Sequence, residues 1–134
     1  MLKQIVLLLA VIYVANSSVL NMVQKVGEKA VLDLGKGIVN WKRIRNGKEE
    51  FIKFCGPTEM SPRCGQFVTA DNNPALPKSN AVVLSNGNLV LDPLQSSDSG
   101  TYFSPDLKIE KTKLPNGEMT ATAPPQIDLT VIQH

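Results

Sequence analysis

Residues 86–104 read Asn-Gly-Asn-Leu-Val-Leu-Asp-Pro-Leu-Gln-Ser-Ser-Asp-Ser-Gly-Thr-Tyr-Phe-Ser. The stretch opens on Asn86-Gly87, which separates the strand-like run Ala81–Ser85 from Asn88–Leu91. Asn-Gly between two such runs is the strongest short hairpin signal, because both residues accept the positive φ of a type I′ turn. Asn46-Gly47 lies in the same way between Ile38–Arg45 and Glu49–Phe54, and Asn116-Gly117 between Leu107–Lys113 and Glu118–Thr122. Three candidate hairpins in one chain of 134 residues predict a mainly antiparallel all-β domain.

The flanking sequence agrees. Ala30, Leu32 and Leu34 alternate with polar residues, as on a half-buried strand, and Gln126–Ile132 alternates cleanly as a final core strand. Between Gly56 and Lys78 the pattern is lost. That segment holds four of the nine prolines and Asp71-Asn72-Asn73, and it reads as a long, partly irregular connection.

At the N-terminus, Lys3 precedes the apolar run Ile5–Ala15, and small or polar residues follow through Ser18. That is the layout of a secretory signal peptide covering residues 1–17, which leaves 18–134 as the domain. The run is too short to span a bilayer, which takes roughly 20 residues, and no membrane span is expected in the mature chain. Losing Lys3 from 14 basic residues leaves 13 against 12 acidic ones. So even a balance argues against a nucleic-acid binder, which carries a strong basic field.

The residues from Asn86 to Tyr102 resemble the E–F region of an immunoglobulin domain, whose pattern is G-x-L-x-I-x-x-L-x-x-x-D-x-G-x-Y-x-C. Gly87, Leu89, Leu91, Leu94, Asp98, Gly100 and Tyr102 stand in register with it. Ser104 stands where the family has cysteine. Val26–Leu34 is similar to the family's second strand with Leu34 at the other cysteine position, and Trp41 resembles the tryptophan of the third. The resemblance implies a two-sheet antiparallel β-sandwich of about seven to nine strands. Its nearest type is the short secreted single-domain immunoglobulin-like protein found in nematodes, here without the inter-sheet cysteine pair. It further implies that Tyr102 forms a tyrosine corner, its hydroxyl returning to upstream backbone. Asp98 would accept hydrogen bonds at the turn before Gly100, with Arg43 or Arg63 as its basic partner.

The missing inter-sheet bond would close about 70 residues and contribute about 4 kcal/mol by loop-closure entropy. Burial of Leu34 recovers roughly 2 kcal/mol of that. Ser104, if buried beside Trp41, needs a hydrogen bond, and a strand carbonyl is the expected acceptor. In a secreted chain Cys55 and Cys64 read as one disulfide around a short excursion. Leu34, Trp41, Leu91, Tyr102 and Ser104 are therefore the expected core positions.

Little catalytic chemistry is in view. The single histidine is His134, the last residue, so no Ser-His or Cys-His arrangement can be assembled around it. Two cysteines and one histidine do not make a structural zinc site, and no metal or other cofactor is expected. Lys42, Arg43, Arg45 and Lys48 cluster on the first hairpin. They form either a solvated edge or a patch for acidic glycans. The lone Asn-x-Ser/Thr sequon, Asn16-Ser17-Ser18, sits at the cleavage boundary, so the mature surface is expected to carry no N-linked glycan. The function expected is a secreted, non-enzymatic module that binds an extracellular protein. The alternatives are a matrix- or glycan-associated structural protein, or a secreted inhibitor or defence effector that works through the Cys55–Cys64 loop.

Overall fold

The computed structural model describes residues 19–108, 110–113, 115–117 and 119–133. The segment read as a signal peptide and His134 lie outside them. Among the described residues there are eleven strands: β1 (Val19–Lys25), β2 (Ala30–Leu32), β3 (Asn40–Arg45), β4 (Lys48–Lys53), β5 (Val68–Thr69), β6 (Ala81–Val83), β7 (Leu89–Leu91), β8 (Gly100–Phe103), β9 (Glu110–Lys113), β10 (Met119–Thr122) and β11 (Gln126–Ile132). A short 3-10 turn, Ser96–Asp98, precedes β8.

Six strands form one sheet in the order β1-β11-β8-β3-β4-β5, and three form a second in the order β2-β7-β6. The β9–β10 hairpin stands as a two-stranded ribbon between β8 and β11. All pairs are antiparallel except β1 with β11, which run parallel over seven residues. This is an immunoglobulin-like β-sandwich, with the larger sheet extended past its central strands as in the variable type. The chain passes from one sheet to the other at Val26–Glu28. There the Val26 amide donates to Ile132 O and the Gly27 amide donates to Leu94 O, each at 2.9 Å.

Inner faces meet as the alternation requires. Trp41, Ile52, Tyr102, Ile127 and Leu129 of the six-stranded sheet pack against Ala30, Leu32, Val83, Leu89 and Leu91 of the three-stranded one. Leu34 differs from expectation. It lies beyond the end of β2, half-buried at the margin of this cluster.

Among the described residues, Asn46-Gly47 is the only Asn-Gly pair that adopts the turn the sequence suggests. Asn46 and Gly47 both have positive φ, and Arg45 faces Lys48 across a two-residue loop. At the second pair Gly87 alone is left-handed, and its amide closes on Leu84 O at 2.9 Å. A Cβ there would lie 3.0 Å from Ile38 O.

The irregular segment follows β4. Cys55 and Cys64 are bonded, and the Lys53 amide donates to Arg63 O at 2.9 Å. The bond therefore fastens a loop to the β4 edge and does not join the sheets. Loop-closure entropy gives it about 2.7 kcal/mol.

Candidate functional site

Side chains of a strand alternate between faces, and this divides the basic hairpin. Trp41, Arg43 and Arg45 point inward; Asn40, Lys42 and Ile44 point outward. Arg43 is 0% and Arg45 5% exposed. The expected patch of Lys42, Arg43, Arg45 and Lys48 is thus corrected: two of its four cations belong to the interior. Consecutive strand residues cannot share a surface.

Inside, two arginines and two carboxylates form one network. Arg43 Nε donates to Glu50 Oε1 at 2.6 Å, and Arg45 Nε donates to the same oxygen at 2.8 Å. Arg43 Nη1 donates to the Tyr102 hydroxyl at 3.2 Å and lies 3.6 Å from Asp98 Oδ1. Its guanidinium carbon is 3.8 Å from the centroid of the Phe67 ring, a close cation–π contact. Arg45 Nη1 donates to Ser97 O at 2.8 Å, and Nη2 donates to Pro77 O.

Asp98 accepts from Ser79 Oγ at 2.5 Å and from the Gln95 amide at 2.8 Å. The Tyr102 hydroxyl donates to Asp98 O at 2.5 Å, which is the tyrosine-corner bond. Ser79 stands just before β6 of the small sheet, whereas Arg43 and Glu50 belong to the large one. The network therefore ties sheet to sheet. Arg63, the other basic partner considered for Asp98, lies elsewhere and donates to Asn72 Oδ1 at 3.1 Å.

A second tie runs through Trp41, whose Nε1 donates to Gly87 O at 2.8 Å. Ser104, 2% exposed, donates to Asn40 O at 2.6 Å and accepts from the Asp106 amide at 3.1 Å. Asp106 Oδ2 in turn accepts from the Val39 and Asn40 amides at 2.9 and 2.8 Å. Partial burial acts to raise the Asp106 pKa, but the Asn40 and Val39 donors outweigh it and hold the carboxyl below its ordinary value.

Burial pushes the Tyr102 phenol up to about 12, with the Arg43 charge opposing the rise. Its ordinary value is about 10. The neutral phenol is thus favoured by folding, and this contribution is present below about pH 10 and lost as pH rises towards 12. The chain has two tyrosines, Tyr13 and Tyr102. A chain beginning at Ser18 should therefore show one phenolate transition, near pH 12. A midpoint near 10 in the folded protein would place Tyr102 in solvent.

The outer face of the large sheet is built from the opposite phase. Lys42 is paired with Phe51 on one side and Phe103 on the other. Its Nζ lies 5.4 Å from the Phe51 centroid and 5.6 Å from that of Phe103. Arg63 also stacks over Phe51, with Cζ 4.3 Å from the centroid. The result is a half-exposed ladder, Phe103–Lys42–Phe51–Arg63, flanked by Ile44 and Thr101. Glu49 pairs with Lys42 at 3.1 Å, and Thr101 Oγ1 donates to Asp128 Oδ1 at 3.0 Å.

Of this ladder, sequence reasoning singled out Lys42 alone as a contact residue. The signal for Phe51 was its position out of phase with the core residue Ile52. Phe103 and Arg63 join through strand register and loop placement, which no local pattern carries.

Beside the β4 edge, the disulfide loop presents Met60 at 96% exposure, next to an open cleft lined by Glu59, Ser61, Pro62 and Cys64. Lys53 pairs with Glu59 and holds its carboxyl below the usual pKa. Among the described residues no cluster of His, Cys, Asp and Glu is placed to hold a metal ion, and no helix is long and apolar enough to cross a membrane.

No protein-family model matches the chain, and no curated protein matches it. Among solved structures it is similar to the extracellular domain of the voltage-gated sodium channel beta4 subunit, whose parallel homodimers are described as explaining its role in cell–cell adhesion. The identity is 11%, the alignment covers 88% of each chain, and the TM-score is 0.45. Neither a partner nor an activity follows from a likeness of that size.

Proposed function

We propose that the chain is a secreted, non-enzymatic immunoglobulin-like binding module that recognises an extracellular protein through the outer face of its six-stranded sheet. The observation that carries this reading is the Phe103–Lys42–Phe51–Arg63 ladder. Aromatic and arginine side chains dominate the energetics of protein interfaces. Here they are held rigid by one another, so little side-chain entropy remains to be lost on contact. The N-terminal apolar run and the Cys55–Cys64 bond support passage through an oxidising secretory route.

The disulfide loop supports a second reading, in which Met60 at its tip is the contact and the protein acts as an inhibitor or defence effector. The acidic-glycan reading and its matrix-associated variant have lost their physical basis, because Arg43 and Arg45 are occupied inside.

The two surviving readings separate by mutation. The secreted protein is cross-linked to its extracellular surroundings, and the captured partner is then titrated with purified variants. Phe51→Ala with Phe103→Ala should weaken binding by about thirtyfold or more, the loss typical of two central contacts. Cys55→Ser with Cys64→Ser should leave affinity within about threefold, provided the domain stays folded. The reverse pattern would move the binding surface to the loop.

A further inference from the structure

The three Asn-Gly pairs are held in different ways. At the β6–β7 turn the Asn86 Oδ1 accepts from the Asn88 amide at 3.0 Å, and the Gly87 amide donates to Leu84 O at 2.9 Å. Gly87 is also buried against Ile38. Asn116 is not free of contacts. At the β3–β4 tip Asn46 and Gly47 are both exposed. Among the described residues the Asn46 side chain makes no hydrogen bond, and the Gly47 amide donates to no backbone carbonyl.

Loss of an asparagine side-chain amide begins when the next residue's backbone nitrogen attacks Cγ, and a following glycine leaves that approach open. A nitrogen already donating in a packed turn must first be released by local opening. We infer that Asn46 is a site of spontaneous deamidation in the folded protein, and that the fold protects Asn86 from the same reaction. The Gly47 nitrogen bonds to Asn46 Cγ. The Cγ–Nδ2 bond breaks, and the side-chain nitrogen leaves as ammonia with the proton that Gly47 gives up. Water then opens the cyclic imide. Addition at Cγ leaves aspartate, and addition at the main-chain carbonyl leaves isoaspartate. One water is consumed, one ammonia is released, and nothing is oxidised or reduced.

Either product sets a carboxylate at the hairpin tip between Arg45 and Lys48. Isoaspartate also lengthens the two-residue loop by a methylene, and that loop fixes the Arg45–Lys48 register. The inference rests on turn geometry alone and stands apart from the proposed binding face.

The test is incubation of the folded protein in warm, mildly alkaline buffer, with peptide mass mapping of both sites and enzymatic labelling of isoaspartate. Asn46 should react about tenfold faster than Asn86 or more, because only Asn86 must wait for its turn to open. In urea the two rates should converge, since both sites are then unstructured Asn-Gly pairs. Asn86 reacting as fast as Asn46 in the folded protein would overturn the inference. So would a rate gap that persists unchanged in urea.

Discussion

Replacing Glu50 by alanine should destabilise the domain by about 3–5 kcal/mol, the range for removing one member of a buried ion network. One Glu50 oxygen accepts from both Arg43 and Arg45, and both arginines are buried. Without it, Arg43 keeps the carboxylate of Asp98 at 3.6 Å, and Arg45 keeps no carboxylate, only the Ser97 and Pro77 carbonyls. Thermal unfolding should move down by roughly 10–20 °C for a domain of this size. The neighbouring substitution Glu49→Ala is the control. Glu49 pairs with Lys42 on the outer face, where such pairs are worth about 1 kcal/mol or less. If Glu50→Ala unfolds at the wild-type temperature, the network is not what holds this corner.

Gly100→Ala should cost about 2–4 kcal/mol, at the upper end of what overpacking does. A Cβ at Gly100 would sit 2.7 Å from Ile44 O and 3.2 Å from Arg45 Cβ. The first of these is strand backbone and cannot rotate aside. Relief requires β3 and β8 to separate, although their pairing of Arg43 with Tyr102 is what brings the guanidinium to the tyrosine hydroxyl. The substitution should therefore lower the denaturation midpoint and also shift the Tyr102 phenolate transition down from about 12. A fully stable Gly100→Ala with an unchanged phenol would mean that the two strands lie farther apart than described.

Both results depend on how the sheets are held without a bond between positions 34 and 104. Ser104 supplies a buried hydroxyl to Asn40 O, a local tie within the large sheet. The links across the sandwich are Trp41 to Gly87 and the Arg43–Asp98–Ser79 chain. Such a network stabilises less than an equally well-packed apolar core would, yet it fails badly when one partner is lost. Leu34, half-buried at the margin, contributes less than full burial would.

What could be read from the residues was local. The spacing of Asp98, Gly100 and Tyr102 is a turn and half a strand, and Asn46-Gly47 encodes its own φ angles. The inward course of Arg43 and Arg45 was legible too, since alternation from Trp41 puts both on the buried face. Reading them as surface residues followed the usual exclusion of charge from interiors. That exclusion lapses only when counter-charges are present: Glu50 faces Arg43 across the local hairpin, but Asp98 arrives from 55 positions away, at an ion-pair distance of 3.6 Å. The strand β1 was missed because its Val19, Leu20, Met22 and Val23 continue the apolar composition of the N-terminal run. Its parallel partner β11 lies at the other end of the chain. Of the outer ladder, Lys42 opposite Phe51 follows from the Asn46-Gly47 hairpin, whereas Phe103 joins through the β3–β8 register, a long-range property.

Adjacent residues of β3 serve opposite faces of the sheet, and denaturation of Lys42→Ala beside Arg43→Ala measures that division directly. Arg43→Ala should lose about 3–5 kcal/mol and Lys42→Ala less than about 1 kcal/mol. Equal losses, or a larger one for Lys42, would contradict it.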